Sequence, residues 1–554
     1  MRRKPPNSTG LHEPLRHADH ARPRTRREFV AQGFMTGAAT VVAPSLLGLL
    51  ADPRMARGAS LLDAPTQAAV AACGITTGAG KIPFICFDLA GGGNIAGSNV
   101  LVGGPTGQLD FLSVAGYNKL GLPGTMVPNP SASGDFIDST FGLRFHTDSA
   151  HLRGIKTRVK TASAMSNTMG TVIPALSQND TNVNPHNPMY GIWQYGARGG
   201  LLDLIGSESS LSGGNSMAPM TMMIPSAAPV KIASSSDSKG LVSTGQLTTL
   251  LPPLPNGTNP DVVNVMESMK RISDAKYSKV QAYADPSANA AALGGTVNGS
   301  AVPGIQACSY TKSAYVVDKY GSPSAVNPDV DSNIVGNGGI FTTAEYMANS
   351  DFQKTAAVMK LVIDGNAAAG TIEMDGFDYH TGDRATGEAR DFNVGNCIGA
   401  CLEYAARVGK PVMIYVFSDG SLASNGMIDN SAGGRGKGVW TADNQNVAAT
   451  YFLVYDPKAR PLSAQKSVEM SLQIGSFNSD GSLNTSGSPA GNNVFNLVQM
   501  VVLNYIALHG PGAETAFAGL YPAPNLNNTL GTGSMLDPLI AYQPLASLVN
   551  GKVA

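Results

Sequence analysis

Two continuous apolar runs constrain the fold of this chain more than any other feature. Residues 81–89 (KIPFICFDL) and 411–417 (PVMIYVF) have the composition of strands that are buried on both faces, as in the centre of a parallel sheet. Shorter candidate strands lie at 171–176, 371–374 and 450–455, and helical patterns follow Ser350 and occupy 392–408 and 494–508. This alternation predicts an α/β fold with a mainly parallel central sheet and helices on both faces.

The pattern weakens between about 200 and 340, where serine, glycine, asparagine and proline dominate and one amphipathic helix lies near 261–283. We therefore expect one α/β domain over residues 80–520 that carries a loop-rich insertion at about 200–340, with a C-terminal tail at 521–554. The 554 residues are 43% hydrophobic, which is enough for a large buried core.

The first 58 residues have the features of an export signal. Residues 1–28 are rich in arginine and nearly free of apolar side chains, and a mild apolar run follows at 29–50. The junction at 25–30 (TRREFV) resembles the twin-arginine consensus. We expect the twin-arginine translocase as the partner during export and a periplasmic or extracellular mature protein. No later stretch reaches 18 uncharged apolar residues, so no transmembrane span is expected in the mature body.

Charge and cysteine content exclude other classes of protein. Only 14% of the residues are charged and the net charge is −1, which argues against nucleic acid as a partner. Five cysteines are too few for a disulfide scaffold, and we expect that disulfides do not hold the fold together. Cys397 and Cys401, four apart in a predicted helix, are expected to be two small buried residues; a bridge between them is the alternative.

Three loops that follow predicted strands carry side chains suited to binding a metal ion or an anion. They are residues 91–94 (GGGN), 375–380 (DGFDYH) and 418–420 (SDG). Ligands bind at the carboxyl ends of parallel strands. Asp378 and His380 are two apart, so in an extended loop both side chains point the same way, a spacing suited to one divalent ion. The alternative is a turn carboxylate beside a surface histidine.

Five histidines lie beyond the signal segment. His186 lies in the loop after the strand at 171–176 and is expected at the same edge of the sheet. His146 and His151 lie near a predicted helix start, where a structural role is expected. His509 ends the last long helix, where a partly charged imidazole would be favourable.

The order of these pieces resembles the exported bacterial family labelled domain of unknown function 1501, a branch of the alkaline-phosphatase and sulfatase-like superfamily. The resemblance covers most of the mature chain. It rests on the signal, the loop at 91–94, the segment 185–188 (PHNP) followed by Trp193, the loop at 376–380 and the segment 417–420 (FSDG). It implies an alkaline-phosphatase-like fold and a hydrolase in which one or two divalent ions, commonly zinc, polarise a phosphate or sulfate ester.

The chain departs from the family pattern at several ligand positions. Asn94 stands where the family has aspartate, the segment after Ser418 is shortened, and no Asp-His pair follows Asp419. Asp88 is an alternative first ligand, although it lies within the predicted strand. A full two-metal site is therefore not expected.

The resemblance, reduced in this way, implies one divalent ion, which would be zinc, manganese or calcium, held by His186, Asp378 and His380. Asp419 would support the ion or act as a base. The alternative is an emptied site that is retained for folding alone.

The implied function is hydrolysis of a phosphate or sulfate ester, with the small anionic substrate received by Arg435 or by the backbone of Gly92, Gly93 and Asn94. The sequence assigns no nucleophile; Ser98 and Thr181 are hydroxyls near these loops. Two alternatives remain from other classes. One is a noncatalytic envelope protein that binds a partner or a glycan, and the other is a secretion-associated component.

Overall fold

The computed structural model of the protein describes residues 60–73, 75, 78–128, 135–178, 184–243, 247–255, 257–283, 302–522 and 528–553. The predicted export signal at 1–58 and Thr181 lie outside the described residues. Among the residues described, no helix combines the length and the apolar character that crossing a bilayer requires.

The strands of the described residues are β1 Phe84–Leu89, β2 Ile137–Asp138, β3 Phe145–His146, β4 Thr168–Pro174, β5 Leu202–Gly206, β6 Val230–Lys231, β7 Ala367–Met374, β8 Val412–Ser418, β9 Leu422–Asp429, β10 Lys437–Asp443, β11 Ala449–Tyr455, β12 Leu548–Val549 and β13 Lys552–Val553. The α-helices are α1 Ala64–Ala72, α2 Val114–Lys119, α3 Ala150–Arg158, α4 Ala162–Ser166, α5 Met189–Gln194, α6 Ser235–Leu241, α7 Leu247–Leu250, α8 Pro260–Tyr283, α9 Val302–Tyr320, α10 Thr343–Ala348, α11 Ser350–Ile363, α12 Arg384–Val408, α13 Val468–Leu472, α14 Val494–Ala507 and α15 Ala513–Leu520.

Seven strands form one sheet in the order β4-β11-β8-β1-β7-β5-β6. β1 pairs in parallel with β7 and β8, and β5 pairs in parallel with β7 and β6. The predicted mainly parallel α/β sheet is therefore confirmed. β11 alone runs antiparallel to its neighbours, β8 and β4. The chain between β8 and β11 forms the β9–β10 hairpin and contains no crossover helix, which a parallel connection would need.

Helices cover both faces of the sheet. Alternate residues of a strand point to opposite faces, and on β7 the two faces meet different helices. A Cβ on Gly370 would lie 2.5 Å from Val358 of α11, so α11 packs closely on that face. On the other face the hydroxyl of Thr371 accepts a hydrogen bond of 3.0 Å from Asn187, directly before α5.

The chain divides into two compact units. The first combines residues 1–73 with 244–321 and, where described, is helical, with a small core that includes Leu62, Val263 and Val317. The second combines residues 74–243 with 322–554 and contains the seven-stranded sheet. The stretch at 200–340, expected as an insertion, contributes β5 and β6 to this sheet. Residues of the expected tail also pack in the second unit, where the Tyr542 hydroxyl donates to the Gly170 carbonyl at 2.6 Å.

One expectation about cysteine is wrong. Cys73 and Cys308 form a disulfide within the first unit, across a sequence separation of 235 residues. Sequence spacing could not indicate this pair, because the two cysteines approach only when α1 packs against α9. The expectation for Cys397 and Cys401 is confirmed, since both are buried free thiols, as is Cys86.

Candidate metal centre

The three predicted loops meet at the carboxyl edge of the sheet because β1 lies between β7 and β8. Hydrogen bonds join the loops directly. The backbone N–H of Gly91 donates to the Asp419 carboxylate at 2.8 Å, and that of Gly93 donates to the Ser418 hydroxyl at 2.8 Å. The Phe377 N–H donates to the Ala90 carbonyl at 3.1 Å. The loops therefore form one connected surface.

Glycine is required at position 91 for this close approach. Gly91 has a φ of 115°, and a Cβ there would lie 2.7 Å from the backbone nitrogen of Asp378. L-residues with a side chain rarely adopt such a backbone conformation. Glycine at position 91 thus allows the loop after β1 to pack against the loop that carries Asp378.

Asp378, His380 and Asp443 form a cluster with the composition of a metal site. One potential ligand atom of each lies within 4.8 Å of the others. The His380 Nδ1 atom contacts the Asp378 carboxylate and lies 3.5 Å from the Asp443 carboxylate. The side chains are 54% exposed for Asp378, 34% for His380 and 43% for Asp443, so an ion could enter from solvent.

The local fold explains why these three side chains converge. Asp378 and His380 lie on the same side of the loop, as their spacing predicts, while Tyr379 between them is buried. The Tyr379 hydroxyl donates to the Asp391 carboxylate at 2.9 Å. The Gly382 N–H donates to the Trp440 carbonyl of β10 at 2.9 Å, three residues before Asp443. The loop is therefore fixed on one side to α12 and on the other to the strand that carries Asp443.

The ligand chemistry of the cluster fits a divalent transition-metal ion. Two carboxylates and one imidazole are ligands for zinc or manganese. Three protein ligands leave a coordination position for water or substrate, which distinguishes catalytic from structural zinc sites.

Other carboxyl groups at the carboxyl edge of the sheet have raised pKa values. Burial, together with the charge of Asp378, raises the pKa of Asp419. Burial and the nearby charge of Asp419 raise the pKa of Asp88 to about 7. Burial and a hydrogen bond with Asp375 raise the pKa of Glu373 to about 9. A cation at this edge would stabilise the ionised forms of these carboxyl groups.

The structure places His186 outside the cluster of Asp378, His380 and Asp443. Its ring is buried, stacks on Phe417 with centroids 5.8 Å apart, and forms a hydrogen bond of 2.8 Å between Nε2 and the Asn184 side chain. Burial lowers the pKa of His186 to about 3, so the imidazole is neutral. His186 lies in the core beneath Asp419, whose carbonyl accepts a hydrogen bond from Asn184.

Arg435 does not belong to the cluster, because its guanidinium forms an ion pair with Asp148. Its Nε atom donates to the carboxylate oxygens of Asp148 at 2.9 Å. Lys437 lies 3.3 Å from the same carboxylate. Arg435 is therefore part of an ion-pair network that is fixed within the fold.

The other residues that the sequence analysis named have structural contacts within the fold. The Asn94 side chain is buried and donates to the Leu422 carbonyl at 2.8 Å. The Asp88 carboxylate is buried and accepts hydrogen bonds from the Ser216 backbone at 2.8 Å and its hydroxyl at 2.7 Å. Ser98 is completely buried, which excludes contact with a solvent-borne substrate in this conformation. Gly92 packs against Gly420, 3.3 Å from a Cβ built at position 92.

Comparison of the chain with protein-family models, with curated proteins and with solved structures finds no match. The interpretation of the site therefore depends on its residues.

Sequence reasoning missed Asp443. This residue belongs to no motif and lies 63 positions after His380 in the chain. The signal that could have found it is the short apolar and β-branched run at 439–441 (VWT), which lies in the second strand of a hairpin that begins just after Asp419. A hairpin that starts at the carboxyl edge returns its last residue to that edge.

Proposed function

We propose that this protein is an exported, single-metal hydrolase of phosphate or sulfate esters with an alkaline-phosphatase-like architecture and a reduced metal site. The observation that carries the proposal is the convergence of Asp378, His380 and Asp443, whose potential ligand atoms lie within 4.8 Å of one another. In this proposal Asp443 takes the ligand role that the family resemblance implies for His186.

A zinc or manganese ion bound there would polarise an ester oxygen and lower the pKa of a bound water. Asp378, His380 and Asp443 would hold the ion, and their side chains are accessible to solvent. Asp419 is the candidate base, because burial and the charge of Asp378 raise its pKa toward the range useful for proton transfer.

Arg390 is the candidate residue that receives the anionic group of the ester. It is exposed on α12, and its guanidinium carbon would lie 2.9 Å from a Cβ built on Gly376, in the loop that carries Asp378. A planar guanidinium binds phosphate or sulfate oxygens in pairs. Arg390 replaces Arg435 in this role, since Arg435 pairs with Asp148.

The disulfide Cys73–Cys308 supports the export part of the proposal. Disulfides persist in the periplasm and outside the cell and are rare in the reducing cytosol. The twin-arginine route would deliver the protein to such a compartment.

Isothermal titration of chelator-treated protein with Zn²⁺ and Mn²⁺ tests the metal site. We expect one ion per chain for the wild type and a loss of affinity greater than about tenfold for Asp443→Asn, since outer-shell partners alone contribute that much. Asp480→Asn is the control, because Asp480 is an exposed aspartate outside the cluster, with a side chain that is 66% exposed. Equal binding by wild type and Asp443→Asn would refute the proposed ligand set.

Hydrolysis of 4-nitrophenyl phosphate and 4-nitrophenyl sulfate by the metal-loaded protein tests the catalytic part. Turnover that Asp443→Asn abolishes and Asp480→Asn retains would support the hydrolase. Stoichiometric metal binding without turnover of either ester class would favour the noncatalytic envelope protein. The carboxylates of Asp375, Asp378 and Asp443 are the observation that favours this alternative, because negative charge at this edge repels anionic esters.

A further inference from the structure

A cavity of about 390 Å³ lies beside the amino end of β1. We call it the lysine cavity; it is lined by Lys81, Tyr195, Ile506, His509, Gly510, Pro511, Gly512, Ala513, Ala516, Asn550, Gly551 and Lys552. Lys81 precedes β1, whereas the candidate metal centre lies beyond the carboxyl end of β1. A strand of this length spans roughly 20 Å, so the two sites are separate.

The described residues of the cavity lining carry positive charge, and the acidic residue in the first turn of α15, Glu514, is not among them. Lys81 and Lys552 both line the cavity, and the described residues of its lining include neither aspartate nor glutamate. The Lys81 ammonium lies 4.1 Å from the centroid of the Tyr195 ring, a cation–π contact that holds the ammonium in place. Burial and the charge of Lys552 both lower the pKa of Lys81, which indicates that the two ammonium groups repel each other.

The backbone adds to the positive potential of the cavity. Helix α15 begins at Ala513, and its N-cap residue, Gly512, has a φ of 81° and provides no side-chain cap. The first N–H groups of a helix and its dipole favour an anion at this end.

His509 contributes no charge to the cavity. Its Nε2 atom accepts a hydrogen bond of 3.0 Å from the Ile82 N–H, so the ring proton must lie on Nδ1, which donates to the Tyr505 carbonyl at 2.7 Å. Burial, with the charge of Lys81, lowers the pKa of His509 to about 3. The expectation of a partly charged imidazole at this helix end is therefore wrong. The lysines are the charged groups of the lining.

We propose that the lysine cavity binds a small organic anion whose carboxylate or phosphate lies between the ammonium groups of Lys81 and Lys552. The apolar part of the ligand would contact Tyr195, Ile506 and Ala516, which line the same cavity. Its volume falls within the range of small-molecule sites. Binding would relieve the repulsion between the two lysines, and its electrostatic part would weaken with salt.

Titration calorimetry of the chelator-treated full-length mature protein tests this proposal, with benzoate and inorganic phosphate as the probes. We expect saturable binding of at least one probe, weaker at higher salt, and a loss of affinity of at least tenfold in Lys81→Met and in Lys552→Met. Preference for benzoate or for phosphate distinguishes a carboxylate from a phosphate ligand. Lys466→Met, which changes an exposed lysine outside the cavity, should bind like the wild type.

The same titration of Asp443→Asn separates this site from the metal centre, and unchanged affinity is expected there. Absence of saturable binding for both probes, or binding that the two lysine variants leave unchanged, would overturn the proposal.

A measurement on the wild type remains decisive if a lysine variant fails to fold. Because its pKa is lowered, Lys81 should react early with a limiting amount of an amine-acetylating reagent. The probe that binds should slow acetylation of Lys81 by at least fivefold while leaving Lys466 unaffected, as measured by peptide mass spectrometry. Equal acetylation of Lys81 with and without the probe would also overturn the proposal.

Discussion

Replacement of Cys308 by serine should destabilise the first unit strongly. The disulfide joins cysteines 235 residues apart, and the chain-entropy relation assigns a loop of that length about 5.5 kcal/mol at 25 °C. If only the first unit unfolds, the folded second unit already restrains residues 74–243, and the effective loop shrinks to roughly 65 residues. The same relation then gives about 4 kcal/mol. We therefore expect a loss of about 4 to 5.5 kcal/mol in the free energy of unfolding.

Denaturant unfolding followed by circular dichroism measures this loss, and thiol titration of the unfolded, unreduced protein shows whether the bond is present. Three reactive thiols are expected in the wild type, from Cys86, Cys397 and Cys401. Cys401→Ala is the control, since it changes a buried cysteine outside the bond and should cost only about 1 kcal/mol. Five thiols in protein from an oxidising compartment, or equal losses in Cys308→Ser and Cys401→Ala, would refute the reasoning.

Two further predictions concern the edge of the sheet that carries the candidate centre. The raised pKa of Asp88, about 7, means that its contribution to stability is present at acid pH and is lost as the pH rises from about 4 to 7. In metal-free protein, the loss in the free energy of unfolding caused by Asp88→Asn should therefore be about 3 kcal/mol smaller at pH 8 than at pH 5. An equal loss at both pH values in urea unfolding would contradict the assigned pKa. Gly91→Ala should displace the Asp378 loop and abolish metal binding. Gly382→Ala is the control and should retain metal binding, because Gly382 also has a positive φ, 89°, but no atom lies within 4 Å of a Cβ built there. Equal metal affinities of the two variants in calorimetry would show that the close contact at Gly91 is not needed.

The centre of the sheet could be predicted from the sequence because its strands are buried on both faces. β1 and β8 consist of residues that lie in the core, so their apolar runs are continuous. β5 and β6 could not be found in this way. β6 has two exposed residues and β5 begins with half-buried ones, so neither has a continuous apolar pattern. Their strand character comes from pairing with β7 and with each other.

The candidate centre was predictable only where its residues are neighbours in the chain. Local geometry is sufficient to place Asp378 and His380 on one side of a loop. The positions of Asp443 and His186 depend on tertiary packing. The pairing of β10 with β9 places Asp443 in the cluster. His186 lies in the core, where its ring stacks on Phe417.

The carboxylates of Asp375, Asp378 and Asp443 link cation binding to any reaction with an anionic ester. Burial and a hydrogen bond with Asp375 raise the pKa of Glu373, and the same hydrogen bond lowers the pKa of Asp375, so Asp375 stays ionised. Without a cation, the carboxylates of Asp378 and Asp443 would repel a phosphate or sulfate group approaching the same surface. A bound divalent ion would neutralise the charge of these two carboxylates and so remove this repulsion. Ester binding at this edge should therefore require the metal, whereas anion binding between the lysines at the amino end of β1 should not.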